Sequence, residues 1–551
     1  MKAYSLLTLP YLISLVAGQF LFDETWRQPK KVLISSHYGG YSHAKPILQI
    51  GHVLKQRGYE VSFASFTPFL DLAKPWGFNR LSMGEGSLPM KEYKEIMKEA
   101  TRNSDRDSIM KIVTIMWDIT YESSYRQLTR ILTEEKPSFV MCDVFNFGCI
   151  DAAYHLNIPF SVQLPSLGLM HSVTDTVTDS LDKRSADTDT GILSRFNRNF
   201  RRRFRFLWSN WCFSRKANQD RIKVGSVARQ EFGYNNMDKG VIFVNSFFGV
   251  DKPKYLPPNV HLVGPLLSPE YPPLTPDLKA FLDSHPRVVY IAFGTHMQLE
   301  QSTIERILTS VSQLLHDKAI DGVIWPISAS SIEEFPKEIL INNNTTTTTT
   351  TTATIPTEPI LKNQDASFRM LDFAPQFSIL SHPNTVLFVS HGGLDSSNEA
   401  LVTATKILNI PAFGDHFYNA VNLQSCGVSI PMEITTFTSS EMTDKAKLLL
   451  EDKGGQFASN LRRMQVLAQI SSKRIHYAAD VVEQLIYAGK PDEPMTSIYQ
   501  SPESRLVLWK RYDLDIYLIL IGAGVSLPYL TYRSLRRLCI LANQSAKVKK
   551  L

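Results

Sequence analysis

Two clusters of side chains could do chemistry. His43 lies in YSHAKP, and an imidazole with its ordinary pKa near neutrality can take a proton from a hydroxyl. Asp143 ends the apolar run FVMCD. A carboxylate bonded to one ring nitrogen of His43 would leave the other as the base and would stabilise the imidazolium. A helix-capping role for His43 is the structural alternative. His37 is a rival base one loop away, and His52 reads as structural.

The second cluster is FAPQFSILSHPNTVLFVSHGGLDSSNEALVTATKILNIPAFGDHFYN, residues 373–419. The run VLFVS delivers the chain to His391, Gly392 and Gly393, and glycine permits a tight turn and close backbone approach to a ligand. Ser396 then opens a helix whose free amides and positive dipole end favour a phosphate. Ser396 and Glu399 also stand at capping-box spacing and could instead satisfy each other's backbone. Phe373, Gln376, His391, Ser396, Glu399 and Asp415 in this order are hard to explain as core packing.

These residues need a scaffold. From Lys31 the chain reads KVLISS, a Gly-rich loop, an amphipathic stretch with Ile47, Ile50, Val53 and Leu54 at helical spacing, then YEVSFAS: strand, helix, strand. FVMCD, GCIDAAYHL and IPFSVQL repeat the pattern, as do RVVYIAFGT, GVIWPIS and VLFVS. Alternating strands and helices predict an α/β fold with parallel sheets. The length of 551 residues suits two domains. Residues 30–260 read as the N-terminal domain, the proline-rich 261–277 as a stiff linker and 278–490 as the C-terminal domain. Within the latter, the Asn/Thr-rich 342–356 reads as an exposed loop or disordered insertion, with Asn343 and Asn344 as glycosylation sequons.

The two ends carry address information. Residues 1–18 read as a signal peptide. Residues 514–532 are apolar apart from Asp515 and just long enough to cross a bilayer. The basic tail 533–551 then lies in the cytosol and the domains in the lumen. The ending KVKKL resembles dilysine retrieval signals, which implies a single-pass type I protein of the endoplasmic reticulum membrane. Five cysteines allow at most one luminal pair and no zinc site. The net charge of +6 comes partly from the tail and does not indicate nucleic acid. Residues 191–216 are dense in arginine and aromatics. They fit a basic amphipathic helix at the membrane beside an apolar acceptor's entrance, or a stripe packed on the domain.

Residues 373–419 resemble the donor-binding signature of the UDP-glycosyltransferase superfamily, which includes the UDP-glucuronosyltransferases, and the likeness covers most of the chain. It implies two facing Rossmann-like domains, the GT-B fold, and inverting transfer of a hexose or hexuronic acid to a hydroxyl of a small lipophilic acceptor. By that likeness Phe373 would stack on uracil and Gln376 would lie at the nucleoside. His391, Gly393 and Ser396 would hold the diphosphate, Glu399 the ribose hydroxyls, and Asp415 with His416 the sugar. Gly294 and Thr295 would add contacts from a second loop. His43 and Asp143 match the family's His and Asp. No metal or other cofactor is implied, and oligomeric state is left open. Three places depart from the family: Asp395 stands for asparagine, Ala404, Thr405 and Lys406 for Gly-Val-Pro, and His416 for glutamine. A non-catalytic member that binds UDP-sugar or a partner, and a polyprenyl-linked glycosyltransferase, are the alternatives.

Overall fold

The structure is a computed structural model that describes residues 30–37, 40–86, 90–103, 108–169, 193, 203–228, 236–253, 255–294, 297–327, 329–346, 349–488, 497–500, 506, 510 and 513–548. The proposed signal peptide, residues 1–18, lies outside the described residues.

The first domain is built on seven parallel strands, β1 (Lys31–Ser35), β2 (Glu60–Ser65), β3 (Asn79–Ser82), β4 (Phe139–Asp143), β5 (Phe160–Leu164), β6 (Val241–Val244) and β7 (Val260–Leu262), ordered β3-β2-β1-β4-β5-β6-β7. Strands β4, β5 and β6 are buried along their whole length. That is why they read as continuous apolar runs: a parallel sheet is covered on both faces. Helix α1 (Gly40–Gln56) crosses from β1 to β2 and buries Ile47, Leu48, Val53 and Leu54 on the sheet. Helices α2 (Ser108–Glu135) and α3 (Phe147–His155) pack together, and α4 (Arg203–Val224) lies against α2, burying Phe213 on Trp117. Cys142 and Cys149 form a disulfide between β4 and α3, which fits the expectation of at most one pair.

The second domain carries six parallel strands, β8 (Val288–Ala292), β9 (Gly322–Pro326), β12 (Phe368–Leu371), β13 (Thr385–Ser390), β14 (Ile407–Asn409) and β15 (Ser429–Pro431), ordered β12-β9-β8-β13-β14-β15. Helix α5 (Leu394–Thr403) follows β13, and α6 (His416–Ser425) follows β14.

Four sequence expectations need correction. The 261–277 linker begins too early, because His261 and Leu262 are still part of β7, paired with β6. Residues 342–356 are not a loop: β10 (Glu338–Thr346) and β11 (Thr349–Pro356) form an antiparallel hairpin. Threonine is β-branched and favours a pleated strand; Thr350, Thr351 and Thr352 pair with Asn344, Asn343 and Asn342, while Ile339 and Ile341 nearer the base are buried. Nor does 278–490 belong wholly to the second domain. Helix α7 (Arg474–Ala488) returns to the first, where Ala478, Ala479, Val481, Val482 and Leu485 share a core with Val32, Ile34, Phe139 and Phe243. Arg57 donates to Glu483 at 2.6 Å, and His261 meets the Tyr477 hydroxyl at 2.8 Å. Finally, the apolar 514–532 span is only the first part of helix α8 (Leu514–Val548).

Among the described residues α8 is long and apolar enough over Leu514–Leu541 to cross a membrane. Of the arginine-rich stretch, most of 191–202 lies outside the described residues. Where it is described, Trp208 and Trp211 are exposed on α4 while Phe213 is buried.

The return of α7 yields a stability prediction. Leu485→Ala removes a fully buried side chain from the core shared with β1, β4 and β6. It should cost about 2–5 kcal/mol, read as a lower midpoint in thermal or denaturant unfolding. A change within error would mean that α7 is not part of the first domain's core.

Candidate active site between the two domains

Parallel strands all end at one sheet edge, and loops carrying chemistry collect there. Here the two sheets turn those edges toward one another. From the first domain come His43 on the opening of α1, Asp143 at the end of β4, and Asn245 just past β6. Across the cleft stand Gln376, residues 391–399 and residues 415–419.

His43 Nδ1 lies 2.8 Å from Asp143 Oδ2. The other oxygen of this fully buried carboxylate accepts the Phe145 backbone N–H at 3.0 Å, which fixes its plane. Burial opposes a charged imidazole, but Asp143, and more distantly Asp415 and Asp395, outweigh it and hold the His43 pKa above its ordinary value. His37 differs. It is buried edge-on against Phe66, and desolvation lowers its pKa to about 3, so its ring stays neutral. His52 sits in α1 beside Trp76 and Gln56, away from the cleft.

On the second domain the turn after β13 is shaped by glycine. Gly392 has φ +84° and Gly294, on the neighbouring turn after β8, has φ +69°, a region that L side chains rarely adopt. A Cβ on Gly393 would come within 2.4 Å of His391 Nε2, and one on Gly294 within 3.0 Å, so the two glycines make the slot that holds the His391 ring. That ring meets His416 edge-on at 4.7 Å. Thr295 lies outside the described residues.

Helix α5 starts at Leu394, earlier than expected, with Gly393 as its N-cap and no side chain capping it. Ser396 is inside the first turn, so the capping-box reading fails. Its hydroxyl instead accepts Gln376 Nε2 at 3.1 Å, and the same amide donates to Glu399 Oε2 at 2.9 Å. An N-terminus with no side-chain cap is a ready anion site. Asp415 precedes α6 and accepts Asn419 Nδ2 at 2.9 Å; burial raises its pKa, against the bond from Asn419. Phe373 is 77% exposed.

Several cleft residues were not anticipated. Lys45 Nζ pairs with Glu399 Oε1 at 2.7 Å across the domain boundary, both side chains buried. Asn245 donates to Asp395 at 2.6 Å, and Ser166 donates to Asn419 at 2.8 Å. Asp395, expected to repel a phosphate, is pushed up to about 6, chiefly by burial and also by Glu399, against Lys45 and His43. The signal for Lys45 was available: a lysine between Ala44 and Ile47 on the buried face of α1 needs a partner. Nothing in the local sequence pointed to Asn245 or Ser166, whose partners are 150 and 253 residues away.

Comparison with known proteins gives this cleft a context. The family described as "UDP-glucoronosyl and UDP-glucosyl transferase" matches residues 41–468. The chain belongs to this family. Relatives include a UDP-glycosyltransferase of Talaromyces amestolkiae, 28% identical over 90% of this chain and 95% of that one. Human UDP-glucuronosyltransferase 3A1 is 22% identical over 81% of this chain and 80% of that one. Among solved structures, the glycotransferase of kitacinnamycin superposes with a TM-score of 0.57 at 15% identity, covering 83% of this chain and 99% of that one. A Polygonum tinctorium UDP-glucosyltransferase capable of glucosylating indoxyl gives 0.54, also at 15% identity, over 84% and 100%. The two parallel-sheet domains thus form a GT-B fold, and the family is one of enzymes that transfer sugar from a UDP-sugar.

The His391 slot can be tested on this UDP-glycosyltransferase directly. Gly393→Ala should push the imidazole out of place, because Cβ and Nε2 cannot coexist at 2.4 Å. UDP binding, read by calorimetry, should weaken roughly tenfold or more while the unfolding midpoint moves little. Unchanged UDP affinity would show that the ring has no part in donor binding.

Proposed function

We propose that the enzyme moves a hexose or hexuronic acid from a UDP-sugar to a hydroxyl of a small lipophilic acceptor with inversion, His43 acting as base and Asp143 as its partner. The observation that carries this reading is the 2.8 Å contact between His43 Nδ1 and Asp143 Oδ2, on the wall opposite the N-terminus of α5. With Nδ1–H donating to the carboxylate, Nε2 accepts the acceptor's hydroxyl proton. The oxygen attacks the anomeric carbon from the side away from UDP, and the imidazolium that forms is stabilised by Asp143. His391, Ser396 and the α5 amides take the charge building on the departing diphosphate, so this reading calls on no metal. Glu399 takes the ribose hydroxyls, Gln376 and Phe373 the nucleoside, and Asp415 with His416 the sugar.

In the same reading the chain is a single-pass endoplasmic reticulum membrane protein with luminal domains. The apolar first part of α8, followed by Arg533, Arg536 and Arg537, supports that orientation.

The experiment that tests the function is incubation of the full-length protein in detergent with a panel of UDP-sugars and a mixed lipophilic acceptor pool. UDP release above the acceptor-free rate is expected for at least one donor. No acceptor-dependent release from any donor would remove the catalytic reading.

The dyad makes a signed pH prediction. His43 works as a base only when neutral and its pKa lies above the ordinary value, so kcat/KM should fall as pH drops through that raised pKa. Asp143→Asn removes the main raising partner and leaves burial, which lowers the pKa. The acid limb should therefore move to lower pH even as the maximal rate falls, and His43→Ala should abolish transfer while UDP still binds. An acid limb unmoved by Asp143→Asn would separate Asp143 from the titrating base.

A further inference from the structure

Lys45 is a permanent cation contributed by the first domain to the anion-binding end of the second. Its ammonium lies 2.7 Å from Glu399 Oε1 and 4.9 Å over the Tyr271 ring, and its charge reaches Asp395. Lys45 and Glu399 are each only 8% exposed at the side chain, so the pair is shielded from water.

The charges around α5 explain why a cation is needed. Asp395 and Glu399 both sit in the first two turns of α5. A nucleoside diphosphate brought to that helix end adds further negative charge, against which the helix dipole offers roughly half a unit. His43 is engaged by Asp143 and must be neutral to act as base. Lys45 is therefore a full positive charge that the structure sets beside these groups, and it is paired with the carboxylate that ribose would use.

We propose that Lys45 is a donor-binding residue that changes partners: ribose hydroxyls displace it from Glu399, and its ammonium passes to the UDP diphosphate at the start of α5. This deepens the donor-site reading and rests on it. The exchange conserves pairing. Two neutral hydroxyls donate to Glu399, which keeps its bond from Gln376 at 2.9 Å. The released cation meets a new anion at the start of α5, five residues or ~7.5 Å along the helix from Glu399, a shift that rotation of its four-carbon stem can cover. The first domain would thereby sense that the donor is in place, because Lys45 is two residues from His43 on the same helix.

A bare clasp between domains predicts a different pattern, and comparing UDP with uridine separates the two. Binding of each to wild type, Lys45→Met and Lys45→Arg is measured by ligand-observed NMR on the full chain. The exchange predicts that Lys45→Met weakens UDP roughly tenfold or more, leaves uridine unchanged or tighter because Glu399 is freed, and that Lys45→Arg restores most of the UDP affinity. Equal shifts for UDP and uridine, or no shift for UDP, would overturn the proposal and leave Lys45 as a structural clasp. If Lys45→Met does not fold, Lys45→Met/Glu399→Gln removes both charges of the buried pair, and the exchange then predicts that UDP still loses more affinity than uridine. A wild-type protein that binds neither ligand would overturn the donor-site reading itself; wild type that binds UDP, with a UDP-to-uridine ratio that Lys45→Met leaves unchanged, would overturn only the exchange.

Discussion

Parallel pairing is the constraint on which everything else rests. When all strands of a sheet run one way, every strand hands its chain to a loop at the same edge, whatever the distance along the sequence. Strands β1 and β4 are direct neighbours, with Ser35 opposite Cys142. The loop after β1 and the last residue of β4 are therefore adjacent, and His43 meets Asp143 although they are 100 residues apart. In the second domain β8 and β13 pair in the same way, with Ala292 opposite Ser390, which sets Gly294 beside His391 and Gly393. Sheet register thus sets the two halves of the site, and the helices supply their side chains from positions within about ten residues of a strand end.

The second determinant is how buried acid is managed. Four carboxyls come together at the cleft, and they are held in three ways. Asp143 is held by His43 and the Phe145 amide. Glu399 is paired with Lys45. Asp395 and Asp415 have amide donors, Asn245 and Asn419, and burial drives both toward the protonated form. Two of these four arrangements, Lys45 with Glu399 and Asn245 with Asp395, cross from one domain to the other. Breaking a buried charge pair is costly because it leaves an uncompensated ion. These polar contacts therefore tie the two sheets together across the cleft.

What the sequence revealed follows from how local each signal is. Strand and helix identity came from periodicity within ten or twenty residues, and the parallel α/β layout came with it. The glycine turn at Gly392 and Gly393, and the approach of His43 to Asp143, were legible because strand ends in such sheets gather at one edge. The capping reading of Ser396 failed for a similar reason turned around: spacing of three fits a cap, but whether a residue caps depends on where the helix starts, and it starts at Leu394. Helix α7 was placed in the wrong domain because an amphipathic stripe says that a face is buried without saying against what. Asn245 and Ser166 carried no signal, since an amide or hydroxyl after a strand is ordinary until its partner from the other domain is known.

The departures from the family pattern also look different in three dimensions. Ala404 caps α5 with φ 57°, the left-handed conformation that glycine adopts freely, at a strain of about 1–2 kcal/mol. The residues after it offset that strain with anchors: Thr405 donates to the Leu380 carbonyl at 3.1 Å, and Lys406 donates to the Leu449 carbonyl at 2.6 Å and pairs with Asp452 at 3.3 Å. The helix therefore ends where a Gly-containing sequence would end it, but is held there by side chains rather than by backbone ease. At its other end Asp395 accepts the Asn245 amide, so the carboxyl is spent on the domain interface and not aimed solely at an incoming anion. Both act on the position of α5, whose N-terminus carries no side-chain cap, and neither changes that N-terminus.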